Sequence, residues 1–150
     1  MGCVNLNSDI CAGTITDMDV EVGIDHTWVG DLTIKIISPA NTVTTLMHRP
    51  GHPSSTYGNG ADMVSTTPIV FDDAAAVDAD MVGNGLASGD VICQADNICD
   101  FSPNPDGEVG TNLAVFNGES VSGIWQVCVG DSDVGTVGTL QEVTLLPTFN

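Results

Sequence analysis

Between Thr14 and Asp25 the chain alternates: Met18, Val20, Val22 and Ile24 fall on one side, Asp17, Asp19, Glu21 and Asp25 on the other. Period two with one wet face predicts a half-buried strand. His26 to Asp31 reads as a bend. Leu32 to Ser38, with Leu32, Ile34 and Ile36 on one face, is a second predicted strand, and after the turn Pro39-Ala40-Asn41 the segment Thr42 to Met47 returns as a third. Together they make a hairpin with a bent entry. Residues 49–62 are rich in Gly, Pro, Ser and Asn and read as loop. Ile69-Val70-Phe71 is a short apolar strand that ends in Asp72-Asp73; residues 74–82 read as loop. Leu113 to Phe116 is expected as a short strand, Ser122 to Val129 as a strand around Trp125, Val127 and Val129, residues 131–138 as a Gly-rich turn, and Leu140, Val143 and Leu145 mark a last strand. Eight or so short strands with frequent turns predict a sandwich or jelly roll. No internal repeat or domain boundary appears, so residues 1–150 read as one domain, with Met1-Gly2 as the start of a cloned fragment.

Charge changes the picture most. Twenty acidic residues face two basic ones, Lys35 and Arg49, for a formal charge of −18 in 150 residues. Self-repulsion on this scale works against compactness. Nucleic acid and anionic membranes are excluded as partners, because both are met through Lys and Arg. No apolar run approaches the roughly 20 residues a membrane helix needs. Carboxylate oxygens gathered in loops are instead what Ca²⁺ binds; the competing reading is a generic acidic surface of a saline or extracellular protein. Five cysteines without a Cys-x-x-Cys pair argue against a zinc ribbon or redox motif. Cys3/Cys11 and Cys93/Cys99 are expected as local disulfides of a secreted protein, with Cys128 left as a buried free thiol.

The stretch Val22 to Pro50 resembles the opening hairpin of the P domain, the P/homo B domain that follows the catalytic domain in proprotein convertases and in many bacterial subtilisin-like proteases. His26, Thr27, Trp28, Gly30, Asp31, Leu32, Ser38, Pro39, Leu46 and Arg49 fall on its pattern. Phe71-Asp72-Asp73 is similar to a second motif, and the segment from Gly123, with Trp125, to a closing hairpin. The chain departs where the family often has Asp-x-Gly and this sequence has Thr136-Val137-Gly138. The resemblance implies a jelly-roll β-sandwich of eight to nine strands, an accessory role beside a neighbouring catalytic domain, bacterial-type secretion and Ca²⁺ sites.

Three acidic groups are candidate ligand sets. Asp25 and Asp31 flank the bend, with Asp72 and Asp73 as third and fourth ligands if the sandwich brings those ends together; Asp31 capping its turn is the alternative. Asp131 and Asp133 lie in the Gly-rich turn, where a solvated turn is the alternative. An EF-hand is rejected, since its flanking helices are absent. Asp96, Asn97, Asp100, Asp106 and Glu108 read as solvated loop acids. Carboxylates crowded together raise one another's pKa, so Ca²⁺ is expected to control folding.

Enzyme readings find little purchase. His48 and His52 are separated by Arg49-Pro50-Gly51, which cannot form the helix of a His-Glu-x-x-His zinc site. No Gly-x-Ser-x-Gly elbow occurs, and no carboxylate pair is singled out for glycoside hydrolysis. The serious rival is a Ca²⁺-containing carbohydrate-binding module. Trp125 alternates with apolar residues and reads as core, which leaves Trp28 and Tyr57 as the only candidate sugar platforms.

Overall fold

The computed structural model describes residues 1–9 and 13–150. Eight strands form two four-stranded sheets: β1 (Gly2–Ser8), β2 (Ile15–Asp25), β3 (Leu32–Ile37), β4 (Val43–His48), β5 (Ile69–Phe71), β6 (Asp100–Phe101), β7 (Gly123–Asp131) and β8 (Thr139–Phe149). One sheet runs β1-β7-β3-β4 and the other β6-β5-β2-β8. This is the expected β-sandwich. The alternation read along β2 holds, with Met18, Val20, Val22 and Ile24 all buried. They meet Leu32, Ile34 and Ile36 of β3, Phe71 of β5 and Trp125 of β7 in a single core. Trp125 is edge-on to Phe116 at 5.1 Å between ring centroids, an arrangement that aromatic quadrupoles favour. No described helix is long and apolar enough to cross a membrane.

The expected strand at 113–116 is a 3-10 turn. Its apolar residues Leu113 and Phe116 stand three apart, and a 3-10 turn eclipses positions i and i+3, so both enter the core together. Two strands escaped the pattern: β6 is only two residues long, and β1 is mostly exposed, with too little apolar alternation to announce itself. β1 exists because β7 offers it a free edge from Gly2↔Val129 to Ser8↔Gly123.

That pairing also corrects the cysteine assignment. Cys3 lies directly opposite Cys128 and is bonded to it. Cys128 is therefore neither free nor a spare thiol, and Cys3 does not pair with Cys11, which lies outside the described residues. A bond across 125 residues of sequence became local only when β1 docked on β7. The expected Cys93–Cys99 disulfide is present.

Candidate functional site

The six candidate ligands separate into two groups at different places along β2. Val20 pairs with Phe71, so Asp72 and Asp73 emerge beside Asp19. Asp25 is six positions further on, about 20 Å away at 3.3 Å per residue. The fold thus does not bring Asp72 and Asp73 to Asp25 and Asp31. Among the described residues, no group of three or more His, Cys, Asp or Glu side chains is arranged to hold a metal ion.

At the bend, protein donors hold most of the carboxylates. Asp25 accepts the Ser65 amide at 2.7 Å and Gln141 Nε2 at 3.1 Å. The Ser65 hydrogen bonds foremost keep its carboxyl below the ordinary carboxylate range. His26 Nδ1 accepts the Trp28 amide at 3.1 Å, which assigns the proton to Nε2, 3.3 Å from Asp131 Oδ2. Asp131 Oδ1 takes the Asp133 amide at 3.0 Å. Asp31, 5% exposed, accepts the Thr136 hydroxyl on Oδ2 at 2.9 Å. Thr136 stands where the resembled family often carries Asp, so a hydroxyl donor meets Asp31 here in place of a further carboxylate.

The loop of residues 49–62 seals this end. A Cβ on Gly30 would sit 2.5 Å from the Tyr57 carbonyl and 2.6 Å from the Asn59 amide, and one on Gly58 would sit 2.7 Å from the Gly30 Cα. Only two glycines allow such backbone contact. The contact carries Tyr57 over the bend, where Trp28 Nε1 donates to its carbonyl at 2.7 Å. Trp28, Tyr57, Asp31, Asp133 and Thr136 then line one open cavity of about 180 Å³.

The other group differs in electrostatics. Asp73 accepts the amides of Leu113 and Ala114, each at 2.8 Å, and so anchors the 3-10 turn. Asp72 Oδ1 accepts the Ala74 amide at 2.7 Å. Asp19 has one buried oxygen, Oδ1, with no hydrogen-bond partner among the described residues. Burial first, then the charges of Asp72, Asp17 and Asp73, push its carboxyl up to about 6. Sequence reading placed Asp19 on the wet face of β2. The missing signal was the pairing of β2 with β5, which sets Asp72 next to it.

Several of the remaining loop acids serve the backbone. Asp96 Oδ1 accepts the amides of Cys93 and Ile98, Asp78 that of Asp80, Asp80 that of Gly51, and Asp90 that of Ala87. Glu108 pairs with Lys35 at 2.6 Å, and that hydrogen bond lowers its pKa. A protein with long loops needs acceptors for loop amides, and short Asp side chains supply them. Part of the acidic excess is therefore architectural.

Residues 15–75 match the family model described as the proprotein convertase P-domain. No curated protein matches the chain. Two solved structures are similar to it: the serine protease of Aeromonas sobria in complex with its chaperone, at 19% identity and a TM-score of 0.45, and the same organism's serine protease alone, at 19% and 0.44. Each comparison covers 99% of this chain and 20% of the other, so the chain spans about a fifth of the length of those proteases. The match to the P-domain model is thus confined to residues 15–75, the part of the chain that carries both the bend and the Phe71-Asp72-Asp73 motif.

Proposed function

We propose that this chain is a secreted, Ca²⁺-binding P-domain module without catalysis of its own, which stabilises or docks a neighbouring domain of a larger extracellular protein. The observation that carries the metal reading is the buried, unpartnered Oδ1 of Asp19 beside Asp72. A buried acceptor without a donor is costly, and a carboxylate pushed up by its neighbours is relieved by a cation. Asp19 and Asp72 would hold the ion. Two carboxylates supply at most four of the six to eight oxygens Ca²⁺ takes, so main-chain carbonyls and water would complete the shell. The ion would neutralise crowded charge and, by binding only the folded chain, raise its stability. Two disulfides support an oxidising destination.

Calorimetric titration of the chelated protein with Ca²⁺ and with Mg²⁺, together with thermal melts in EGTA and in CaCl₂, tests this reading. Saturable Ca²⁺ binding with a raised midpoint is expected. An unchanged midpoint and no binding heat would remove the metal.

A further inference from the structure

We propose that the cavity between Trp28, Tyr57, Asp31, Asp133 and Thr136 is a recognition pocket for one cationic side chain of a partner protein, arginine for preference. The proposal concerns the bend that follows β2, away from the Asp19–Asp72 pair in the middle of that strand, and stands independently of the Ca²⁺ reading.

Asp31 is the starting point. Its side chain lines the cavity at 5% exposure. Thr136 serves Oδ2, and Oδ1 receives no hydrogen bond among the described residues. Oδ1 is not sealed from the cavity, so a charged donor entering there can reach it. The chain has only two basic residues to offer. Lys35 is held by Glu108. Arg49, the sole guanidinium of the chain, directs Nε to the Gly30 carbonyl at 3.4 Å and makes no ion pair among the described residues. A cation that meets Oδ1 therefore comes from outside the described residues.

The other walls say which kind of cation fits. Trp28 has already given its one donor to the Tyr57 carbonyl, and Thr136 has given its own to Asp31. What the cavity presents is aromatic surface and carboxylate acceptors, and the one side-chain donor left among its lining residues is the Tyr57 hydroxyl. A guanidinium carries five N–H donors and no acceptor, and lies well against aromatic rings. A sugar both donates and accepts, and would find a single hydroxyl donor among these walls. Ca²⁺ competes for the same two carboxylates, but Thr136 already occupies Asp31 Oδ2 and the Trp28 ring adds no ligand oxygen. At about 180 Å³ the cavity is below the 300–1,000 Å³ typical of small-molecule sites and suits a single side chain. Tyr57 is 68% exposed at its rim, and the field of a −18 protein draws basic segments toward it.

The test titrates the intact chain with Ac-Gly-Arg-Gly-amide, its citrulline counterpart, and cellohexaose, following the Trp28 Nε1–H resonance by NMR. The arginine peptide is expected to shift that resonance saturably, with the neutral citrulline peptide weaker by roughly tenfold, as loss of one charge-assisted contact implies. Tyr57→Ala and Asp133→Asn, both exposed positions that leave the core intact, should each weaken arginine binding about two- to fivefold. Asp31→Asn should abolish it, with amide dispersion reporting whether that variant is folded. Equal binding of the citrulline peptide would overturn the proposal. So would a Trp28 response to cellohexaose alone, or displacement of the peptide by CaCl₂ at matched ionic strength, which would hand the pocket to a sugar or to a metal.

Discussion

Replacing Asp19 by Asn probes the crowded carboxylates most directly. The Asp19 carboxyl sits near 6 in the folded protein against 3.8 for the free side chain. The folded state therefore holds the proton more tightly. The contribution of this group to stability is complete below about pH 4 and is lost as pH rises through about 6. At pH 7.5 the ionised carboxylate imposes its whole penalty. Taken at face value, a shift of about two units is about 3 kcal/mol. One oxygen is sealed, but the rest of the carboxyl sees solvent and salt, so about 1–2 kcal/mol is the realistic size. Asn keeps the shape, drops the charge and adds a donor facing Asp72. In EGTA at pH 7.5, Asp19→Asn should melt about 3–6 °C above wild type. At pH 4 the two should coincide. In CaCl₂ the wild type should recover and the variant gain little. Urea unfolding followed by the fluorescence of the buried Trp125 gives the free energies. A variant less stable than wild type in EGTA at neutral pH would refute the electrostatic argument. Equal Ca²⁺ gains in both proteins would refute the assignment of the ion to Asp19.

Asp73→Ala removes the acceptor of two backbone amides and should cost about 2–3 kcal/mol in chemical denaturation, even with the metal chelated. Replacing Cys3 and Cys128 together by Ser opens a cross-link over 125 residues and should lower stability by about 2–5 kcal/mol, read as a shifted urea midpoint. Asp25, held low chiefly by the Ser65 amide, contributes stability above its ordinary range that disappears as pH falls through its lowered value; Asp25→Asn should flatten the acid limb of a stability–pH curve, and an unchanged limb would contradict this. Gly30→Ala forces a Cβ into the Tyr57 carbonyl and the Asn59 amide, and should expose Trp28, seen as a red shift and faster quenching of its emission.

Much of this protein is legible in its residues taken in order. The alternation of Met18, Val20, Val22 and Ile24 against acids dictates a half-buried strand, because a strand turns successive side chains to opposite faces. Pro39-Ala40-Asn41 dictates the hairpin, and Phe71-Asp72-Asp73 with the His26–Asp31 bend points to the family. These signals are local, so they survive without a fold. Pairing between distant segments is not local, and it made every decision that the chain order left open. The docking of β1 on β7 chose Cys128 for Cys3. The register of β2 on β5 put Asp72 beside Asp19 and kept it from Asp25. The glycine contact between Gly30 and Gly58 laid Tyr57 over Trp28 and made a cavity above Asp31. Composition can count twenty acids; only tertiary contact decides which ones meet a backbone amide and which are left facing one another, because that depends on distances of a few ångströms between residues far apart in sequence.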